Sequence, residues 1–429
     1  MNTIDYKNAY PDLFTPSLKK ATDLIIDRAE GPYLFTMEGD RYLDLVQGIA
    51  VNPLGHCHPA LVNASVEQIK RMGHVSFNLA SYPGALNLAT KLRSLMPSGI
   101  DTFFFTNSGA EAVEAAIKLA RYVTGKGSVI AFRGSFHGRT MGAASVTSSN
   151  VSFRKRYAPF MPQVYFAPYP DCYRCIFEQR PETCHLQCLE YLKQDLNLVI
   201  PADEVSAILF EPVQGDGGYI VPPLKYIKAL GELARSLDTL LIFDEIQTGV
   251  GRTGKFLAWE NFGVVPDVIC MGKAIGGGFA LSVVASRKEV MKQWAPGAHG
   301  TTFGAHPVAC ASALALLEIV AQREFLSTVG QKGKYFRSKL YQLQNKFPSI
   351  GQVRGLGLMN AIEMVKPDGQ PNADLCAQVI HSMMSKKILL MKCGAMGQTI
   401  RFIPPLNITI PLLDQVIEAL DESLTEYSN

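Results

Sequence analysis

Four polar groups stand where apolar runs end. Asn107-Ser108-Gly109 follows Thr102–Thr106, Glu211 follows Val205–Phe210, Asp244 follows Leu240–Phe243, and Lys273 lies just past Val268–Met271. If the runs are strands of an open α/β sheet, the four groups gather at its carboxyl edge, where such sheets bind ligands. Asn107-Ser108-Gly109-Ala110-Glu111 also opens a helical segment. Helix N-termini present free backbone N–H groups and the positive dipole end to anions such as phosphate, although the same residues also make an ordinary cap. A carboxylate leaving the sheet at Asp244 is costly unless a cation meets it. A protonated pyridine nitrogen is one such cation; a helix cap or an arginine partner is the plainer alternative. Lys273 sits in Met271-Gly272-Lys273-Ala274-Ile275-Gly276-Gly277-Gly278, too apolar and too tight for a routine surface lysine. Burial lowers an amine's pKa and makes it nucleophilic toward aldehydes, while a snorkelling lysine remains the alternative.

The elements that must position these groups follow from the alternation between about 101 and 286. Short runs rich in Val, Ile and Phe alternate with helical stretches, the pattern of a parallel sheet wrapped by helices. The predicted strands are Thr102–Thr106, Ser128–Phe132, Val205–Phe210, Leu240–Phe243, Val268–Met271 and Leu281–Ala285, with helices over Ala110–Tyr122 and Pro223–Leu237. The C-terminal part predicts a smaller α+β lobe, with helices over Pro307–Glu324 and Gly330–Lys346 and strands around Gly355–Glu363 and Thr399–Phe402. Strand-like Pro32–Met37 and Arg41–Leu45 place an N-terminal segment beside that lobe. The expected division is 1–60, 61–305 and 306–429, with an insert at 170–190.

With 41 basic and 38 acidic residues the net charge is only +3, which gives no electrostatic footprint for nucleic acid or an anionic membrane. No run reaches 18 apolar residues and the first residues lack a signal-peptide pattern, so the expectation is cytoplasmic. The nine cysteines then read as reduced thiols.

The motifs in combination are specific: Gly48-Ile49-Ala50-Val51, Asn107-Ser108-Gly109-Ala110-Glu111-Ala112, Phe136-His137-Gly138-Arg139-Thr140, Glu211-Pro212-Val213-Gln214-Gly215, Phe243-Asp244-Glu245-Ile246-Gln247-Thr248-Gly249, the Lys273 segment and Thr301-Thr302-Phe303-Gly304. Through them nearly the whole chain resembles the class III (ω-) aminotransferases of fold type I, most closely their 4-aminobutyrate branch. The resemblance implies a large, parallel-type seven-stranded α/β/α domain, a smaller α+β domain and pyridoxal 5′-phosphate as cofactor. It implies that Ser108 and Gly109 hold the phosphate, completed by Thr302 of another subunit, and that Phe136 stacks on the ring. Asp244 would keep the ring nitrogen protonated, Gln247 would lie near the ring hydroxyl, and Lys273 would form the Schiff base. His137 and Glu211 fall among the cofactor residues, and Ile49, Arg139 and Arg401 among those for substrate. Guanidinium groups clamp carboxylates bidentately, so two arginines suit a dicarboxylate acceptor; Arg139 also reads as a simple ion-pair partner of Glu211. Small amino and keto acids are the implied partners, and a homodimer or dimer of dimers the implied assembly.

Two departures stand out. Asp216 occupies the place of a glutamate that in relatives masks the second arginine when a one-carboxylate substrate binds, and the missing methylene puts its reach to Arg401 in question. In racemases and 2-epimerases of the subgroup an aspartate here serves with the lysine as a second base, which is the alternative reading of Asp216. The second departure is Cys172, Cys175, Cys184 and Cys188, spaced x2, x8 and x3. They are candidate metal ligands whose spacing fits no zinc module well, with a loop of reduced thiols in a dimer interface as the plainer reading.

Overall fold

The computed structural model describes residues 3–427. Its largest sheet has seven strands in the order Thr102–Thr106, Ser282–Ser286, Val268–Met271, Leu240–Asp244, Val205–Phe210, Ser128–Phe132, Val164–Ala167. Five of them, Ser128–Phe132, Val205–Phe210, Leu240–Asp244, Val268–Met271 and Ser282–Ser286, are buried at every residue, because helices cover both faces. Successive side chains point to opposite faces. Val129, Ala131, Ala207 and Leu209 accordingly pack with the helix Gly109–Thr124, whereas Ile130, Phe132, Ile208 and Phe210 pack with Tyr226, Ile227 and Leu230 of the helix Leu224–Ser236.

Five of the six expected strands lie where the apolar runs are, and the sixth begins one residue later than Leu281. The expectation missed Val164–Ala167, a four-residue edge strand in which three positions are half exposed. It also missed that Ser282–Ser286 runs antiparallel to both neighbours. Parallel return needs a crossover of a dozen or more residues, and the segment between Met271 and Ser282 is shorter and occupied by the Lys273–Gly276 turn.

Ile350–Leu356, Met359–Met364, Thr399–Phe402 and Met391–Cys393 form an antiparallel sheet in that order. The expected helix Pro307–Glu324 stops at Val320, and the next runs over Arg323–Lys346 from an extended Gln322. That longer helix includes Gly330 and Gly333. Gly333 is required there, since a Cβ would lie 1.8 Å from the Gly357 carbonyl oxygen. The strands Tyr33–Thr36 and Arg41–Asp44 share a sheet with Ile388–Leu389, which pairs in parallel with Leu43 and Asp44.

Candidate active site

The anion end of the site is built by a capping box. Ser108 Oγ accepts from the Glu111 amide at 3.3 Å, and Glu111 Oε2 accepts from the Asn107 amide at 2.7 Å. The following amides of the first turn have no intrahelical acceptor and are free for an anion. Asn107 Nδ2 donates to Thr301 Oγ1 at 3.1 Å, so the loop 301–304 is tied to this turn. Gly109 packs so closely that a Cβ would meet Ile246 Cδ1 at 2.9 Å. The cap reading of Asn107–Glu111 therefore holds, and the cap is what leaves the amides aligned.

Asp244, 5 % exposed, ends its strand. Its Oδ1 accepts from the Ile246 amide at 3.0 Å and its Oδ2 lies 2.7 Å from His137 Nδ1. His137 thus supports Asp244, and its buried Nε2 has no partner. No arginine pairs with Asp244 among the described residues, and the bond from the Ile246 amide is the only cap-like contact it makes there. Asp244 lies opposite Cys270 in the sheet, and Lys273 follows three residues later on that neighbouring chain. Burial lowers the Lys273 pKa, partly opposed by Asp244 and reinforced by Arg401. The Lys273 ammonium makes no hydrogen bond or ion pair among the described residues, and its backbone is left-handed at φ +48°, a conformation that costs a non-glycine residue about 1–3 kcal/mol and concentrates at functional sites. A free amine with lowered basicity beside a buried carboxylate is a nucleophile facing the partner of a cation.

Around this pair, Glu211 accepts from the Phe136 amide at 2.8 Å and the Gly215 amide at 2.7 Å. Burial raises it to about 7, an effect opposed by His137. Gln247 contributes a buried Oε1 without a partner. Ile49 sits on a turn in which Gln47, Gly48, Ile49 and Ala50 all have positive φ. The turn packs against the Lys273 segment and is anchored by Asp44 Oδ1, which accepts from the Val46 and Gln47 amides. Glu245, present in a motif but given no role by the sequence reading, is 1 % exposed and fixes the following loop by accepting from the Ala258 and Trp259 amides at 2.9 and 2.8 Å. Its position directly after Asp244 was the available signal.

The substrate end departs from expectation in two respects. Arg139 is not an ion-pair partner of Glu211, whose oxygens are both taken by backbone amides; it is exposed and lies 4.1 Å from the Phe153 ring centroid and 5.9 Å from that of Phe136. Asp216 does reach Arg401: its Oδ1 is 3.7 Å from Nη1, while its Oδ2 accepts from Ser149 Oγ at 2.9 Å. Arg401 is 4 % exposed, and its Nε has no partner. Ser149 was missed because only the fold brings it to Asp216. Thr302 is exposed.

Cys172, Cys175, Cys184 and Cys188 converge on one small cavity of about 30 Å³. They do not form a metal site as built, for among the described residues no three His, Cys, Asp or Glu side chains are arranged to hold an ion. Burial pushes Cys188 up to about 12 and raises Cys172.

The profile described as Aminotransferase class-III matches residues 15–424. The chain belongs to the class III aminotransferases. Relatives of this aminotransferase include an alanine/serine racemase from Pyrococcus horikoshii, 35% identical over 95% of the chain and 87% of that protein. A probable 4-aminobutyrate aminotransferase from Bacillus subtilis is 35% identical over 92% of each, and an acetylornithine aminotransferase from Methanocaldococcus jannaschii 37% identical over 94% of each. Among solved structures, a PLP-bound amine transaminase from an uncultivated Pseudomonas species superposes with a TM-score of 0.91 at 28% identity, covering 98% of this chain and 100% of that one. Members of the family are dependent on pyridoxal 5′-phosphate. The residues present fit that group: a helix end for phosphate, a buried carboxylate for the ring nitrogen, and an unpartnered lysine. Among the described residues, no helix is long and apolar enough to cross a membrane.

Proposed function

We propose that this class III aminotransferase moves the amino group of an ω-amino acid resembling 4-aminobutyrate to 2-oxoglutarate. Bound pyridoxal 5′-phosphate supplies an electron sink conjugated to the substrate carbon. Ser108, Gly109 and the first-turn amides of the helix Gly109–Thr124 would bind its phosphate, Asp244 would keep the ring nitrogen protonated, and Phe136 and Gln247 would orient the ring. Lys273 would be the amine that holds the cofactor covalently and would act as the general acid–base that moves a proton at the substrate carbon. Arg139 and Arg401 bind the carboxylates of the acceptor.

The observation that carries the choice of substrate is the pairing of Asp216 with Arg401. A guanidinium neutralised by its own carboxylate suits a donor with one carboxylate, and the same guanidinium, released, suits the second carboxylate of 2-oxoglutarate. The pairing also argues against Asp216 as a second base for racemisation, because both its oxygens are engaged, one by Ser149 and one facing a fixed positive charge. Thr302 completes a phosphate site in a neighbouring copy, which makes the working unit a homodimer or a dimer of dimers. The strand pairing of Leu43 and Asp44 with Ile388 and Leu389 supports grouping segment 1–60 with 306–429, apart from 61–305.

A panel of amino donors mixed singly with the cofactor-loaded enzyme tests the reading, with absorbance following conversion of the cofactor to its amine form. Conversion by 4-aminobutyrate, reversed by 2-oxoglutarate, is the expected result. Loss of optical rotation from an L-amino acid without any oxo acid would replace the proposal with racemisation.

A further inference from the structure

Asp216 lies on the tight turn Gly215-Asp216-Gly217-Gly218, whose outward carbonyls are held from the sheet that carries Arg401. The Gly394 amide donates to the Asp216 carbonyl at 2.8 Å, and Arg354 Nε donates to the Gly218 carbonyl at 2.7 Å. Arg354 is 7 % exposed and also donates to Glu363 Oε2 at 2.6 Å, Gln352 Oε1 at 2.6 Å and Thr399 Oγ1 at 3.1 Å. Thr399 and Arg401 share one strand, and that strand pairs with the strand of Glu363. A single guanidinium therefore ties the turn bearing the masking carboxylate to the strand bearing the masked arginine.

Glu363, 1 % exposed, has a second cation, Arg174, from the cysteine-bearing insert. Asp171 holds that part of the insert by accepting from the Tyr173 and Arg174 amides at 3.1 and 3.2 Å. Two arginines on one buried carboxylate balance its desolvation better than one.

We propose that Arg354, fixed by Glu363 and braced by Arg174 of the insert, is a positioning residue for specificity: it sets the distance between Asp216 and Arg401 and thereby how well a one-carboxylate donor competes with a dicarboxylate acceptor. The inference rests on the masking role given to Asp216 above. The 3.7 Å separation is an ion pair without hydrogen-bond contact, so its strength depends on where the turn is held rather than on direct attachment. The insert has a function in this arrangement that its thiols do not perform: it delivers Arg174.

The test separates the two half-reactions of the cofactor-loaded enzyme. Lysine at 354 keeps the charge but not the fork that reaches Gly218, Glu363 and Thr399 together. In Arg354→Lys the KM for 4-aminobutyrate should rise about tenfold, with kcat and the KM for 2-oxoglutarate within about twofold of wild type. Arg174→Met, at the outer end of the relay, should shift the same ratio about threefold. Asp216→Asn should match or exceed both, and adding Arg354→Lys to it should change the ratio no further. A shift in Asp216→Asn with none in Arg354→Lys or Arg174→Met overturns the positioning role and leaves the mask standing, as does an equal loss for both substrates. No shift in Asp216→Asn removes the mask itself and this inference with it. If Arg354→Lys fails to fold, the Arg174→Met ratio decides.

Discussion

Replacing Asp244 by Asn changes one charge and no volume, and the structure fixes what is lost. Two donors converge on the carboxylate, the Ile246 amide at 3.0 Å and His137 Nδ1 at 2.7 Å. An asparagine has one acceptor oxygen to offer them. The other side-chain atom becomes a donor facing a donor, unless His137 moves its proton to the unpartnered Nε2. One buried hydrogen bond lost in this way costs about 1–3 kcal/mol of stability. The loss facing the cofactor is larger, because a buried cation left without its counter-charge costs about 3–5 kcal/mol. At about 1.4 kcal/mol per decade that corresponds to a fall of roughly 10²- to 10⁴-fold in the half-reaction rate. The assay is rapid mixing of loaded enzyme with an amino donor under single-turnover conditions, followed by cofactor absorbance, with thermal unfolding of the same sample to measure the stability part. Asp244→Glu, which keeps the charge, should recover most of the rate. A rate for Asp244→Asn within threefold of wild type at full cofactor occupancy would refute the pairing of the ring nitrogen with Asp244.

Lys273→Ala should bind the cofactor without a covalent link, so that borohydride treatment and mass spectrometry find the adduct in wild type and none in the variant. Gly109→Val drives side-chain carbon into Ile246 at the helix end, and cofactor affinity by equilibrium titration should fall at least tenfold. Glu211 should make stability depend on pH in an unusual direction. Its unfolded carboxyl loses the proton near 4.5, whereas burial holds the folded one to about 7, so the folded chain binds more protons between those values. Stability therefore falls as pH rises through that window, by up to about 3 kcal/mol from Glu211, and because burial holds Glu245 to about 7 as well, denaturant titrations of Glu211→Gln across pH 4.5–7.5 should lose about half of the slope; an unchanged slope would assign it elsewhere. Changing Cys172, Cys175, Cys184 and Cys188 together to Ser should leave turnover within about twofold and metal content, by elemental analysis, as low as in wild type; a bound ion in wild type would contradict the geometry of that cavity.

The chain's own order of residues determined where the chemistry stands. Asp244 and Lys273 were legible because apolar runs long enough to cross a buried sheet must end somewhere, and a polar residue at that end is conspicuous. The helix cap at Ser108 was legible because capping is local, with Ser108 and Glu111 three residues apart. Val164–Ala167 was not, since a short, half-exposed edge strand is weakly patterned. What only the tertiary structure decided depends on distant parts of the chain meeting. Whether Asp216 reaches Arg401 is set by the way the turn 215–218 is held against Gly394 and Arg354, and no count of methylenes predicts that. Arg139 was assigned to Glu211 as one alternative, yet backbone amides from Phe136 and Gly215 had already filled both oxygens. The cysteines, prominent as a motif, line a small cavity, while the arginine between them reaches Glu363, 189 residues away. Local sequence determines which elements form and what their ends carry, because hydrophobic periodicity and capping act over a few residues. Long-range packing decides which charges face one another, because electrostatic partners are chosen by distance in space.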